Sequence, residues 1–246
     1  MDVRETGPRR RPAPEVEPHH RNVQGGAARA AVFGVSDGLV TNVSLIIGVA
    51  GAQSAGPYVR LAGFAGLLAG AVSMAGGEYV SMKAQGELFE RELDMERREL
   101  TRSPAAERRE LAKIYESRGV DPKVADDMAS EMMRTPELAL QTHAREELGV
   151  DPSSLGSPLL AAGSSFASFA VGAVIPLLPW FFTAGSVAEA ISVAAAALTA
   201  VLIGAAIARA TGRSILRASV RQLAVSMLAA GVSFALGRLV GVNLSG

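Results

Sequence analysis

The sequence predicts an all-α fold: a polytopic membrane protein with five transmembrane helices and a cytoplasmic helical domain between spans two and three. Three observations carry that expectation. Charge is segregated along the chain, because 30 of the charged residues fall between positions 78 and 151 while 38–59, 61–77 and 152–188 hold none. These uncharged runs are long enough for a helix to cross a hydrocarbon core about 30 Å thick, which takes roughly 17–25 apolar residues. They are also dense in Gly, Ala and Ser, the composition of helices that pack in lipid by close backbone approach. The average figures, 49% hydrophobic, 20% charged and zero net charge over 246 residues, would suit a soluble domain, so distribution and not composition decides the class.

Taken in order, residues 1–24 are rich in Pro and Arg and lack an apolar stretch, so no cleavable signal is expected and 1–27 reads as a disordered cytoplasmic tail. A first membrane block covers 28–82, with spans at 31–52 and 61–80; Gly66-Leu67-Leu68-Ala69-Gly70 offers a small-xxx-small face in the second. Positions 78–102 hold no proline and one glycine, Gly86, so the second span is expected to continue as a polar helix. Ser103-Pro104 is a helix start, serine as cap and proline at the first helical position, with a stop at Gly119. Asp121-Pro122 and Thr135-Pro136 repeat the signal for two more helices, to about Met133 and to Gly149. The resulting domain, 83–155, is too small to bury much core alone and is expected to pack on itself or on a twin. A second membrane block, 156–243, carries spans at 159–182, 187–208 and 216–240. Arg217, Arg221 and Arg238 sit toward the ends of the last span, where their side chains reach the interface.

Orientation follows from the basic residues. Arg21 and Arg29 precede the first span, twelve Lys and Arg fall in the charged middle, and Arg209, Arg213 and Arg217 join the last two spans, whereas the opposite side holds a single Arg60. The amino terminus and the charged middle are therefore expected in the cytoplasm and the carboxyl terminus outside. With no targeting segment in view, a bacterial inner membrane is the expected location.

Several function classes are excluded at once. With no cysteine and three histidines, the chain is neither a disulfide scaffold nor a zinc finger and performs no thiolate chemistry. It shows no Ser/His/Asp set, no Gly-rich phosphate loop followed by Lys and no cofactor fingerprint, so it is not expected to be an enzyme. Between 78 and 151 there are 18 acids against 12 bases, which would repel nucleic acid.

The chemistry-bearing residues lie in two places. Within the spans, Asp37 sits two turns into the first, in Ser36-Asp37-Gly38 with Asn42 five residues on, and Glu189 lies near the outer end of the fourth. A carboxylate in lipid costs about 2.5–3.5 kcal/mol even on insertion scales, so each serves either an ion or a hydrogen bond between helices, or, for Glu189, reaches the interface. Met74 and Glu78 share one face of the second span; a thioether with a carboxylate suits a borderline ion such as Fe(II), although a lone Met more often only packs. In the charged middle, Glu96 and Glu99, Glu107 and Glu110, and His143 with Glu146 and Glu147 are spaced i,i+3 or i,i+4. Such pairs on facing helices can hold a divalent metal. The interleaved Arg97, Arg98, Arg108 and Arg109 fit a plain solvated face equally well.

A resemblance tips this balance. Val32-Phe33-Gly34-Val35-Ser36-Asp37-Gly38-Leu39-Val40-Thr41-Asn42, then Gly63-Phe64-Ala65-Gly66-Leu67-Leu68-Ala69-Gly70-Ala71-Val72-Ser73-Met74-Ala75 and Gly77-Glu78-Tyr79-Val80-Ser81, resemble the vacuolar iron transporter family, and the likeness runs on through Glu147-Leu148-Gly149. It implies a dimer of five-span subunits that exchanges Fe(II), or in some members Mn(II), for protons and moves metal out of the cytosol, with the metal as substrate and no resident cofactor. Carried over position by position, it assigns translocation to Asp37 and Met74, with Glu78 in the adjoining motif. Metal collection in the cytoplasm falls on Glu96, Glu99, Glu107, Glu110 and Glu147. One departure stands out: where some members have a methionine pair ahead of the last glutamate, this chain has His143 and Ala144, and Met132-Met133 lies too far upstream to replace it. The resulting expectation has the glutamates of two subunits gather the metal, Asp37 and Met74 pass it across, and protonation of Asp37 release it. An uncoupled divalent-cation transporter and a metal-sensing or scaffold membrane protein are the competing readings.

Overall fold

The structure is a computed structural model, and it describes residues 26–52, 56–149 and 156–244; of the expected tail at 1–27, residues 1–25 lie outside them and Gly26 and Ala27 open the first helix. Among the described residues all regular structure is helical. The helices are α1 (Gly26–Ala52), α2 (Gly56–Arg102), α3 (Pro104–Ser117), α4 (Pro122–Met132), α5 (Pro136–Glu146), α6 (Pro158–Leu177), α7 (Pro179–Phe182), α8 (Gly185–Thr211) and α9 (Ile215–Leu244). Five of them, α1, α2, α6, α8 and α9, are long and apolar enough to cross a membrane.

The second span and the polar helix after it form a single helix of 47 residues, about 70 Å long. It runs without a break from the membrane bundle into the helical domain. The expected third span, 159–182, is divided: α6 ends at Leu177 and α7 begins at Pro179. The cause is Pro179, which lacks the N–H that would continue the ladder and crowds the turn before it. Twenty residues of α6 still reach across about 30 Å.

α1 forms the centre of the bundle and packs against α2, α6, α8 and α9. Its contact with α6 is close because side chains are missing. A Cβ on Gly38 would stand 2.1 Å from the Phe169 carbonyl oxygen, and one on Gly172 would stand 2.1 Å from that of Val35. Leu39, Val43 and Ile46 of α1 meet Phe169, Leu177 and Trp180 in the bundle core. The expected Gly66 and Gly70 face also makes contact, with Leu45 and the Phe169 ring.

In the helical domain, Leu111, Ala112 and Tyr115 of α3 bury against Ala125 and Ala129 of α4. Asp121 and Thr135 cap their helices, accepting from the N–H of Lys123 (3.0 Å) and of Leu138 (3.2 Å). Ser103 departs from expectation, because its side chain makes no cap hydrogen bond. Its N–H completes α2 by donating to the Glu99 carbonyl (2.8 Å), and its own carbonyl accepts from Ala106 (2.8 Å) and Glu107 (3.2 Å). Ser103 thus joins two helices through its backbone alone, with a φ of −143° and ψ of 54° that differ from those of the capping Asp121 and Thr135.

Candidate metal centre

Three helices of the domain deliver side chains to one point. Glu96 comes from α2, Glu107 from the first turn of α3, and His143 from the last turn of α5, with Glu147 at that helix's carboxyl end. One ligand atom from each of the four lies within 4.8 Å of all the others. Donors around one first-row ion sit at about 2.1 Å, hence no more than about 4.2 Å apart, so a small inward movement closes the set. His143 is fully buried, Glu96 is 6% and Glu107 8% exposed, and the Glu147 side chain is 22% exposed.

The imidazole organises the acids. Nδ1 of His143 lies 2.8 Å from Glu147 Oε1 and 3.1 Å from Glu96 Oε1. Its Nε2 is buried without a hydrogen-bond partner. Burial, and then the charge of Glu147, push the Glu96 carboxyl up from 4.5 to about 7. Burial and the neighbouring Glu110 raise Glu107 as well. For His143, burial lowers the pKa, but the hydrogen bond its ring N–H donates to Glu147 and the surrounding carboxylates outweigh it and the net direction is upward. Carboxyls that resist ionisation while packed around one imidazole mark a candidate functional site. Four of the domain's arginines pair elsewhere, Arg97 with Asp94 (2.7 Å), Arg108 with Asp126 (3.3 Å), Arg134 with Glu131 (3.4 Å), and Arg118 with Glu146.

Of the expected cytoplasmic ligands the structure therefore unites Glu96, Glu107, His143 and Glu147. Glu99 and Glu110 remain exposed, although their charges reach Glu96 and Glu107. Three oxygens and one nitrogen form a donor set for a borderline or hard divalent ion.

The membrane candidates are arranged differently. Asp37 lies on an exposed stripe of α1 with Phe33, Thr41 and Leu45, each four residues from the next, and takes a hydrogen bond from Thr41 Oγ1 (3.4 Å). Asn42 is not part of that stripe. It is fully buried and donates to the Ala173 carbonyl (2.6 Å), which makes it a bracket between α1 and α6. The glycine after Asp37 admits helix α6 and not an ion. On α2, Met74 leans on the bundle core and Glu78, one turn on, is half-buried. Glu189 is half-buried in the first turns of α8. The reading of the sequence passes over Gln222 of α9, whose Nε2 donates to Ser36 Oγ (2.5 Å) beside Asp37. A glutamine among apolar residues was the signal.

Comparison with known proteins agrees with this architecture. The profile of the VIT family matches residues 28–238. The vacuolar iron transporter of Acanthamoeba castellanii is 42% identical over 161 residues, 65% of this chain and 58% of that protein. Vacuolar iron transporter 1 of Tulipa gesneriana is 29% identical over 213 residues, 86% of each chain, and its namesake in Arabidopsis thaliana is 29% identical over 88% of this chain and 87% of that one. With five apolar helices, a charged helical domain inserted after the second and a match over most of its length, the chain belongs to the VIT family.

Proposed function

We propose that the protein carries divalent iron, and on the same donors Mn(II), out of the cytoplasm in exchange for protons. The observation that carries this reading is the convergence of Glu96, Glu107, His143 and Glu147 at one point, with Glu96 on a helix that continues into the membrane. The relatives named vacuolar iron transporters support the same class of cargo. In this scheme the domain lies in the cytoplasm and collects metal, with exposed Glu99 and Glu110 drawing cations to the rim. Glu78 and Glu96 are 18 residues apart on α2, five full turns and about 27 Å, so one face of one helix carries a collecting residue and a membrane residue. Met74 lies one further turn toward the bundle.

Asp37 and Met74 pass the metal through the bilayer, and protonation of Asp37 from the far side releases it. The stripe that carries Asp37 and Thr41 is uncovered in a single chain, and polar groups facing lipid are costly. A second copy meeting the first along this stripe would remove both from lipid and bring two carboxyls together, which favours a homodimer with the pathway at its axis.

The test is uptake of Fe(II) into proteoliposomes under an imposed pH gradient, with Mn(II) and Zn(II) in parallel. Flux is expected to need the gradient and to vanish in Asp37→Asn, while metal binding by the helical domain persists. Flux in Asp37→Asn at the normal rate would remove the coupling scheme. Binding without flux in the unaltered protein would turn the reading toward a metal sensor.

A further inference from the structure

Helix α9 exchanges one neighbour for another along its length. In its first half it lies on α8: a Cβ on Gly204 would stand 2.5 Å from Ser219 Cα, and Ser219 Oγ donates to the Val201 carbonyl (3.0 Å). In its second half it lies on α1, where a Cβ on Gly237 would stand 1.9 Å from the Gly48 carbonyl oxygen and one on Gly241 2.7 Å from that of Ala52. α8 and α9 therefore splay apart toward the end of the bundle remote from α3–α5. A cleft of about 570 Å³ opens between them, within the range of ligand sites. It is lined by Ile47 of α1, by Ala194 and Ala197 of α8 and by Met227 and Gly231 of α9, and Glu189 with Ser186 lines its end at the start of α8.

Its dimensions and chemistry define an occupant. From Ser186 to Ala197 is about 16 Å of helix, close to half of a hydrocarbon core about 30 Å thick. The 27 residues of α8 span about 40 Å, more than that core, so Glu189 in its first turns lies where hydrocarbon gives way to headgroups. An apolar recess open to a bilayer gains dispersion contacts when a hydrocarbon chain fills it and gains nothing from water. The carboxylate at that end of the cleft complements an ammonium group and repels an anionic headgroup.

We propose that the cleft seats one acyl chain of an amine-headgroup phospholipid from the leaflet on that side, with Glu189 accepting hydrogen bonds from the ammonium. The lipid would then act as a wedge that holds α8 and α9 at their observed splay.

The full chain in nanodiscs of equal phosphatidylethanolamine and phosphatidylglycerol, released into native mass spectrometry, tests this. The unaltered protein is expected to retain phosphatidylethanolamine over phosphatidylglycerol by about tenfold and to unfold at higher temperature in the former, since a ligand of the folded state raises its stability. Glu189→Gln should keep a bound lipid and lose the preference, and Ala194→Leu should lose retention of both. Equal retention of the two lipids by the unaltered protein, or a preference that survives in Glu189→Gln, would overturn the proposal. The chain has no cysteine, so Ala194→Cys supplies a unique thiol. If it forms disulfides between copies in the membrane, the cleft is an interface between subunits and the lipid assignment fails; if it reacts only with a bilayer-soluble maleimide, the assignment stands.

Discussion

The membrane bundle and the helical domain bury polar groups in opposite ways. In the bundle several are buried singly against a backbone carbonyl: Asn42 on Ala173 (2.6 Å), Ser192 on Pro176 (2.7 Å) and Ser219 on Val201 (3.0 Å). Helix backbones meet there because Gly38, Gly172, Gly204 and Gly237 carry no side chain. In the domain, three carboxyls and an imidazole share one pocket, and Arg97 and Arg108, nearby in sequence, are engaged on the surface. A satisfied polar group brackets two helices, whereas a group of like charges strains its surroundings until a cation arrives. Substitutions should therefore act with opposite sign in the two regions, costing stability in the bundle and releasing it in the pocket.

The largest effect is expected at the α1–α6 crossing. Gly38→Ala would drive a Cβ to 2.1 Å from a backbone oxygen that has no room to retreat, and overpacking of this kind costs about 3 kcal/mol or more. At Gly163, on the open side of α6, nothing lies within 4 Å of the added atom, and Gly163→Ala should stabilise by up to about 1 kcal/mol through helix propensity. Thermal ramps followed by gel filtration in detergent read both. Equal tolerance of the two alanines would mean that the glycine contact does not hold the bundle together.

In the pocket, Glu96→Gln should weaken metal binding by more than the tenfold to hundredfold that groups behind a ligand contribute, and yet raise the stability of the metal-free protein. The carboxyl at about 7 in place of 4.5 corresponds to roughly 3–4 kcal/mol of strain at alkaline pH, since one unit is about 1.4 kcal/mol. Calorimetric titration with Mn(II), beside thermal unfolding in chelator, separates the two quantities. A variant that loses both affinity and stability would show that Glu96 is a structural member of the α2–α3–α5 junction.

How much of this could be read beforehand differs between the regions for a physical reason. Lipid tolerates so few charges that their absence alone marks α1, α2, α6, α8 and α9, and the lack of proline after Glu78 foretells the long continuation of α2. Which acids converge is another matter. Spacing places Glu96 with Glu99, and Glu107 with Glu110, on shared helix faces, but the angle between helices selects one of each pair for burial and leaves the other exposed. Likewise 26 glycines do not announce that Gly38 and Gly172 form the closest crossing, because that depends on which faces meet. Pro179 was visible as a breaker, and its position near the end of a long apolar run masked it.

Proton linkage gives the comparison a pH axis. Glu96, Glu107 and His143 are all raised, so the folded metal-free protein binds more protons than the unfolded chain. Stability from these groups is then full below about 4.5, the unfolded value of the carboxyls, and is lost as pH rises through about 7, where folded Glu96 ionises. Unfolding midpoints in chelator should fall between pH 5 and 8, and saturating Mn(II) should flatten or reverse the slope, because the metal binds the deprotonated pocket. A midpoint that rises over this interval would mean that the acids are not buried together.

The smallest contrast lies within the domain itself, between two helix starts that look alike in sequence. Thr135 accepts from the Leu138 N–H at the start of α5, whereas Ser103 at the start of α3 offers only its backbone. Thr135→Ala should cost about 1 kcal/mol, the usual worth of a side-chain cap, while Ser103→Ala should stay within about 0.5 kcal/mol, as for a surface change without a lost contact. His143 lies eight residues beyond Thr135, about 12 Å along α5, farther than fraying of a first turn extends, so metal affinity should be unchanged in both variants. Loss of affinity in Thr135→Ala would show that α5 holds His143 through its whole length, and a cost at Ser103 equal to that at Thr135 would show that the junction between α2 and α3 depends on the hydroxyl after all.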